Sequence, residues 1–160
     1  MKKLLMAAVA VSAIAATPAM AADFAVSGTV GVSCSAVIGE TLAFGTIVTN
    51  ASGNVTAGQS KSSDAQDVVC NGANATITVA SSQVLTNASA PTDSATFQRT
   101  IGFTAEVTVG GTPYSVSASP QTIGATAGSM VVSAKNLSAA LRPYAGSYSG
   151  LITVTLAAGA

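Results

Sequence analysis

Few side chains in this 160-residue chain offer chemistry. It has two cysteines, Cys34 and Cys70, six aspartates and glutamates, three tyrosines, and neither histidine nor tryptophan. Without histidine, the commonest general base, the usual partner of a nucleophilic serine and the usual zinc ligand are all missing. Asp64 and Asp67 are the closest acidic pair. A calcium loop needs more oxygen ligands at fixed spacing, so a solvated loop before a strand is the expected reading there. The chain is therefore expected to be no enzyme, with no cofactor and no metal site.

The cysteines lack C-x-x-C spacing, which argues against a redox pair. One intramolecular disulfide is the simpler reading in an oxidising compartment. It closes a loop of 37 residues, worth roughly 3–4 kcal/mol by loop entropy. Tyr114, Tyr144 and Tyr148 either stack on a sugar or plug the edge of a core, and the second is expected. Asn-x-Ser/Thr triplets occur at Asn50, Asn54, Asn74, Asn87 and Asn136. In a chain so rich in Asn, Ser and Thr they read as composition rather than glycosylation.

These residues sit behind a leader. Lys2 and Lys3 precede an apolar run over residues 4–16, and Ala19 and Ala21 form an A-x-A pattern. That predicts a bacterial-style signal peptide over residues 1–21, cleaved after Ala21. The run is short for a bilayer span, and no later segment reaches about 18 apolar residues. A retained membrane anchor is the competing reading. The 139 remaining residues suit one domain with its own core. They carry four basic residues (Lys61, Arg99, Lys135, Arg142) and six acidic ones, a net charge of −2. No basic patch offers itself to nucleic acid or an anionic membrane.

The elements that must position everything else read as strands. Residues 101–109 alternate over their whole length, and Gly110-Gly111 turns them back into "TPYSVSAS", a hairpin signal. Further strands are expected at 41–48, 67–70, 75–81, 129–134 and 149–157. In the last, Ile152, Val154 and Leu156 share one face. Gly, Asn, Ser and Pro clusters separate these segments, as in a β-sandwich. The one helix candidate, residues 133–142, reads equally as a loop or single turn before Pro143. At the other end, residues 22–36 alternate with Phe24, Val26, Gly28, Val30 and Val32 on one face. A bare apolar strand invites aggregation unless it pairs, in its own domain or in another.

The order of short motifs carries a resemblance. An arm "FAVSGTVGVSC" runs into Cys34, "LAFG" occupies residues 42–45, "DVVC" ends at Cys70, and "AGSY" (145–148) precedes the last strand. This order resembles pilin subunits of bacterial chaperone–usher systems, most of all the archaic type with a spore coat protein U-like domain. The family's last strand often ends on an aromatic residue, whereas here "LAAGA" ends the chain. The resemblance implies an all-β, immunoglobulin-like sandwich that lacks its final strand. It divides the chain into a signal peptide (1–21), a donor-strand arm (22–33) and a pilin-type domain (34–160). It implies a structural subunit of a surface fibre, exported through the periplasm and supporting adhesion or biofilm formation. The arm, through Phe24, Val26, Gly28, Val30 and Val32, would enter a neighbouring subunit beside Ile152, Val154 and Leu156. The implied partners are identical or homologous subunits, a periplasmic chaperone and an outer-membrane usher. The alternatives are a monomeric secreted carbohydrate- or surface-binding sandwich, or a coat or matrix protein with the same domain.

Overall fold

The structure, a computed structural model, describes residues 27–36 and 41–159. The chain divides into two units, residues 1–30 and 31–160. In the first, only residues 27–30 are described; they form no strand, and Val30 is 89% exposed. Phe24 and Val26 lie outside the described residues.

The second unit is all-β, with no helix among its described residues. Its strands are β1 (Cys34–Ala36), β2 (Lys61–Ser62), β3 (Gln66–Cys70), β4 (Thr76–Ser81), β5 (Val84–Thr86) and β6 (Phe97–Gln98). Then follow β7 (Thr100–Val109), β8 (Thr112–Ser115), β9 (Gln121–Thr122), β10 (Thr126–Ser138), β11 (Arg142–Pro143) and β12 (Ile152–Ala157). One antiparallel sheet runs β1-β3-β10-β7-β5, with β2 on β10 and β8 on β7. A second, β12-β4-β9, packs against it as the other layer of a sandwich. β6 and β11 form a small parallel pair apart from both.

β7 follows its sequence pattern. Ile101, Phe103, Ala105, Val107 and Val109 are buried while the residues between them reach the outer face. Gly110 (φ 55°) and Gly111 (φ 85°) both take the left-handed backbone of the tight turn into β8. The core has two halves. Val68, Cys70, Val107, Val109 and Met130 of the large sheet meet Ile77 and Val79 of β4 and the half-buried Ile152, Val154 and Leu156 of β12. Leu85, Ile101, Phe103, Ala105, Ala134 and Leu137 form the other half.

Two expectations are corrected. Residues 133–138, which read equally as a short helix, a loop or a single turn, belong to β10. A bulge lies between Lys135 and Ser138, and Asn136 has φ 55°. One inserted residue turns Ala134 and Leu137, three apart, to the same buried face. That spacing imitates a helix. The strand expected at residues 41–48 does not form. Leu42 and Phe44 do alternate inward against the second half of the core. Gly45, at φ 65°, then breaks the extended path, and alternation marks a buried face rather than a hydrogen-bond partner.

Cys34 and Cys70 are disulfide-bonded and face each other directly across the β1–β3 ladder. At the far end the chain is pinned by absence of side chains. A Cβ on Gly159 would collide with the backbone and side chain of Asn74, and one on Gly72 would strike the Gly159 carbonyl. Small residues at 157–159 thus let the end of β12 lie against the 72–74 turn.

Removing the cross-link, as in Cys34→Ser, should lower unfolding free energy by about 3–4 kcal/mol in urea without reductant. Gly159→Val should cost about 1–3 kcal/mol through overpacking, seen as faster amide exchange at Leu156 and Ala157. An unchanged exchange rate there would mean that the close approach does not hold β12.

Candidate functional site

β12 makes its ladder on one side only. Ile152 to Ala157 pair with Ser81 back to Thr76 of β4, and no described strand is hydrogen-bonded to the other side, although β1 comes near β12 without pairing with it. Thr153, Thr155 and Ala157 point outward, while Ile152, Val154 and Leu156 are half-buried beneath. An edge of this kind presents unpaired N–H and C=O groups.

Beside the first half of β12 lies a cleft of about 1160 Å³. Its floor is the inner face of the large sheet: Leu85, Ile101 and Phe103, with Val132 and Ala134. Leu42, Phe44 and Ile47 roof it, and Ile152 and Val154 form a wall. Close-packed interiors hold few voids larger than a water. An apolar space of this size is therefore a groove rather than finished core. The Gln66 side-chain oxygen, on a residue lining the cleft, is buried with no hydrogen-bond partner. An occupant bringing an N–H or hydroxyl would satisfy it.

The mouth of the cleft is built by residues 144–148. Asn87, 2% exposed, donates its side-chain amide to the Ala145 carbonyl (3.2 Å) and accepts from the Ser89 N–H (3.1 Å). Gly146, at φ 141°, passes so close that a Cβ would strike the Asn87 amide. The Tyr148 hydroxyl donates to the Tyr144 carbonyl at 2.8 Å. Tyr144 stacks on Phe97, ring centroids 5.4 Å apart, and its own hydroxyl donates to the Thr92 carbonyl. Asn87 is thereby buried and engaged, unlike a glycosylated side chain. Tyr114 and Tyr148 pack against the two halves of the core.

Of the residues singled out in the sequence, Ile152 and Val154 line the cleft, while Leu156 packs on the first half of the core. Gly28, Val30 and Val32 are exposed. Asp64 and Asp67 are exposed at the entry to β3. Two residues went unrecognised. Gln66 carries no sequence signal. Asn71 does, since Asn-Gly after a strand marks a turn. Its amide donates to the Gly31 carbonyl (2.9 Å) and its oxygen accepts from the Ser33 N–H (2.6 Å). It thus ties residues 31–33 to the end of β3.

Burial, the largest influence, raises the pKa of the Tyr148 phenol above its ordinary value; the nearby Asp93 carboxylate also raises it, while bonds to Asn87 and Tyr144 oppose the shift. A folded pKa above the unfolded one gives stability that is complete below the unfolded value and lost as pH rises through the folded one. Stability should therefore fall above about pH 10. Tyr148→Phe should remove part of that alkaline slope in urea titrations at pH 9 to 11, and an identical slope in both proteins would contradict the assignment.

No family model matches the chain, and the curated proteins contain no match to it.

Proposed function

We propose that this chain is a structural subunit of a bacterial surface fibre, polymerised by inserting residues 23–32 of one copy beside β12 of the next. The observation that carries the reading is the apolar cleft flanked by the free edge of β12. An added strand would pair with that edge and send alternate side chains into the space. The chain holds a segment with the matching pattern in Phe24, Val26, Val30 and Val32, and Gly28 on the same face suits a shallow point of the groove. The exposure of Val30 and Val32 is in keeping with such a role.

Burial of those four side chains contributes roughly 6–12 kcal/mol. Ordering each arm residue costs about 1–2 kcal/mol. The two are comparable over the length of the arm, so the ladder bonds to β12, about 0.5–1.5 kcal/mol each, decide the balance. The domain is then an immunoglobulin-like sandwich lacking one strand, and the groove is the place of that strand. Identical or homologous subunits fill it in the fibre, and a periplasmic chaperone covers it before the usher. The disulfide fits export into an oxidising compartment, as does the leader over residues 1–21. Adhesion or biofilm formation is the use such a fibre serves.

The test compares two charges on opposite faces of the arm. Val30→Asp places an unpaired carboxylate in the groove, at a cost of several kcal/mol. It should abolish heat-labile, high-molecular-weight polymer on the cell surface while leaving subunit levels similar. Ser27→Asp, on the other face, should reduce polymer little. Wild-type amounts of polymer from Val30→Asp would refute insertion of this arm, and a monomeric binding module would then be the better reading.

A further inference from the structure

Residues 41–47 are an unpaired stretch of backbone that carries three inward-facing apolar side chains. Leu42, Phe44 and Ile47 lie half-buried on Leu85, Ile101 and Phe103 and roof the cleft. Yet the segment joins no ladder, and its backbone bond is a local one, from the Ala43 N–H to the Thr41 carbonyl (3.0 Å). Its downstream end is fixed quite differently. Gln59 accepts from the Val48 N–H (2.8 Å) and donates to the carbonyls of Val48 (2.9 Å) and Thr56 (2.9 Å). The Asn50 side chain accepts from the N–H groups of Ser52 and Asn54, and Thr49 bridges Val55. Gly45, at φ 65°, sits between the inserted side chains and this anchored turn.

A segment held, among the described residues, by side-chain burial and one local bond, beside a hydrogen-bonded turn, opens at low free energy. We infer that residues 41–47 are a resident cover of the groove. Leu42 and Phe44 shield the floor in the lone subunit, and they swing out about Gly45 when a strand enters beside β12. The inference rests on the strand-accepting reading of the cleft. It adds what keeps the groove from aggregating before it is filled. The same side chains that protect the floor compete with the incoming strand. The apparent affinity for that strand is therefore reduced by the fraction of subunits with the cover open.

The probe is a fluorescent synthetic peptide of residues 22–33, added to the full chain. In the unaltered protein, peptide binding should speed amide exchange at residues 42–46 while slowing it at 152–157. A Leu42→Ser, Phe44→Ser double variant should bind the peptide at least about tenfold faster and more tightly, the effect of removing a cover open in a tenth of molecules or fewer. Equal or weaker binding by the variant, with exchange at 42–46 slowed by peptide in the wild type, would overturn the inference and make the segment a fixed wall. Peptide binding to neither protein would sink the strand-accepting reading itself, and the cover with it. The exchange measurement needs no substitution, so it decides the matter even if the double variant fails to fold.

Discussion

The architecture depends on a mismatch of length between the two layers. β10 has 13 residues and β7 has 10, whereas β4 and β12 have six each. At about 3.4 Å per residue, β10 extends for about 44 Å and the opposing strands for about 20 Å. The smaller sheet therefore covers only part of the inner face. Where it reaches, Ile77 and Val79 close on Val68, Val107 and Met130, and these side chains are fully buried. Where it does not, Leu85, Ile101 and Phe103 depend on loops, on residues 41–47 and on the start of β12. Both the cleft and its cover follow from that shortfall. Apolar area left without a sheet must be met by something else, or remain open to a partner.

Much of the fold was legible because it rests on period-two patterning. β3, β4, β7 and β12 lie where alternation puts them, and Gly110-Gly111 announces the hairpin. The disulfide was readable from a single cysteine pair that lacks redox-type C-x-x-C spacing. Two segments were read differently from how they fold. Around Asn136, one extra residue shifted the phase of a strand and gave a helix-like spacing. At residues 41–47, the phase was right but no neighbouring edge was available to pair with. Alternation reports which side chains are buried; it carries no information on register or on partners. The cleft was legible only in part. Ile152 and Val154 were identifiable from the last strand, but Leu85, Ile101, Phe103 and Gln66 converge through pairings of strands distant in sequence.

Primary amides take over the structural duties that charges perform elsewhere. Asn50 and Gln59 hold the turn after residue 47, and Asn71 fastens residues 31–33. Asn87 braces the mouth of the cleft, and Gln98 joins the Thr100 carbonyl to the Leu141 N–H. Among the described residues the recorded ion pair is Lys135 with Glu106, on the outer face of the large sheet. Both partners are half-exposed, and solvent-screened pairs of that kind contribute little. Amides neither titrate nor attract a screening atmosphere. The loops they hold are thus insensitive to acidity and ionic strength across ordinary conditions.

The cross-link between β1 and β3 also has a mechanical consequence. Tension applied to the chain ahead of Cys34 passes through the sulfur bridge to Cys70, in a strand flanked by β1 and β10. The intervening 36 peptide steps are bypassed. They include residues 41–47, which lie in no strand and carry none of the load. Without the bridge, stretching the whole stretch between the two cysteines would release up to about 120 Å. With it, a pull on the leading residues is delivered at once to a ladder loaded along its strands, and the domain behaves as a short, stiff link.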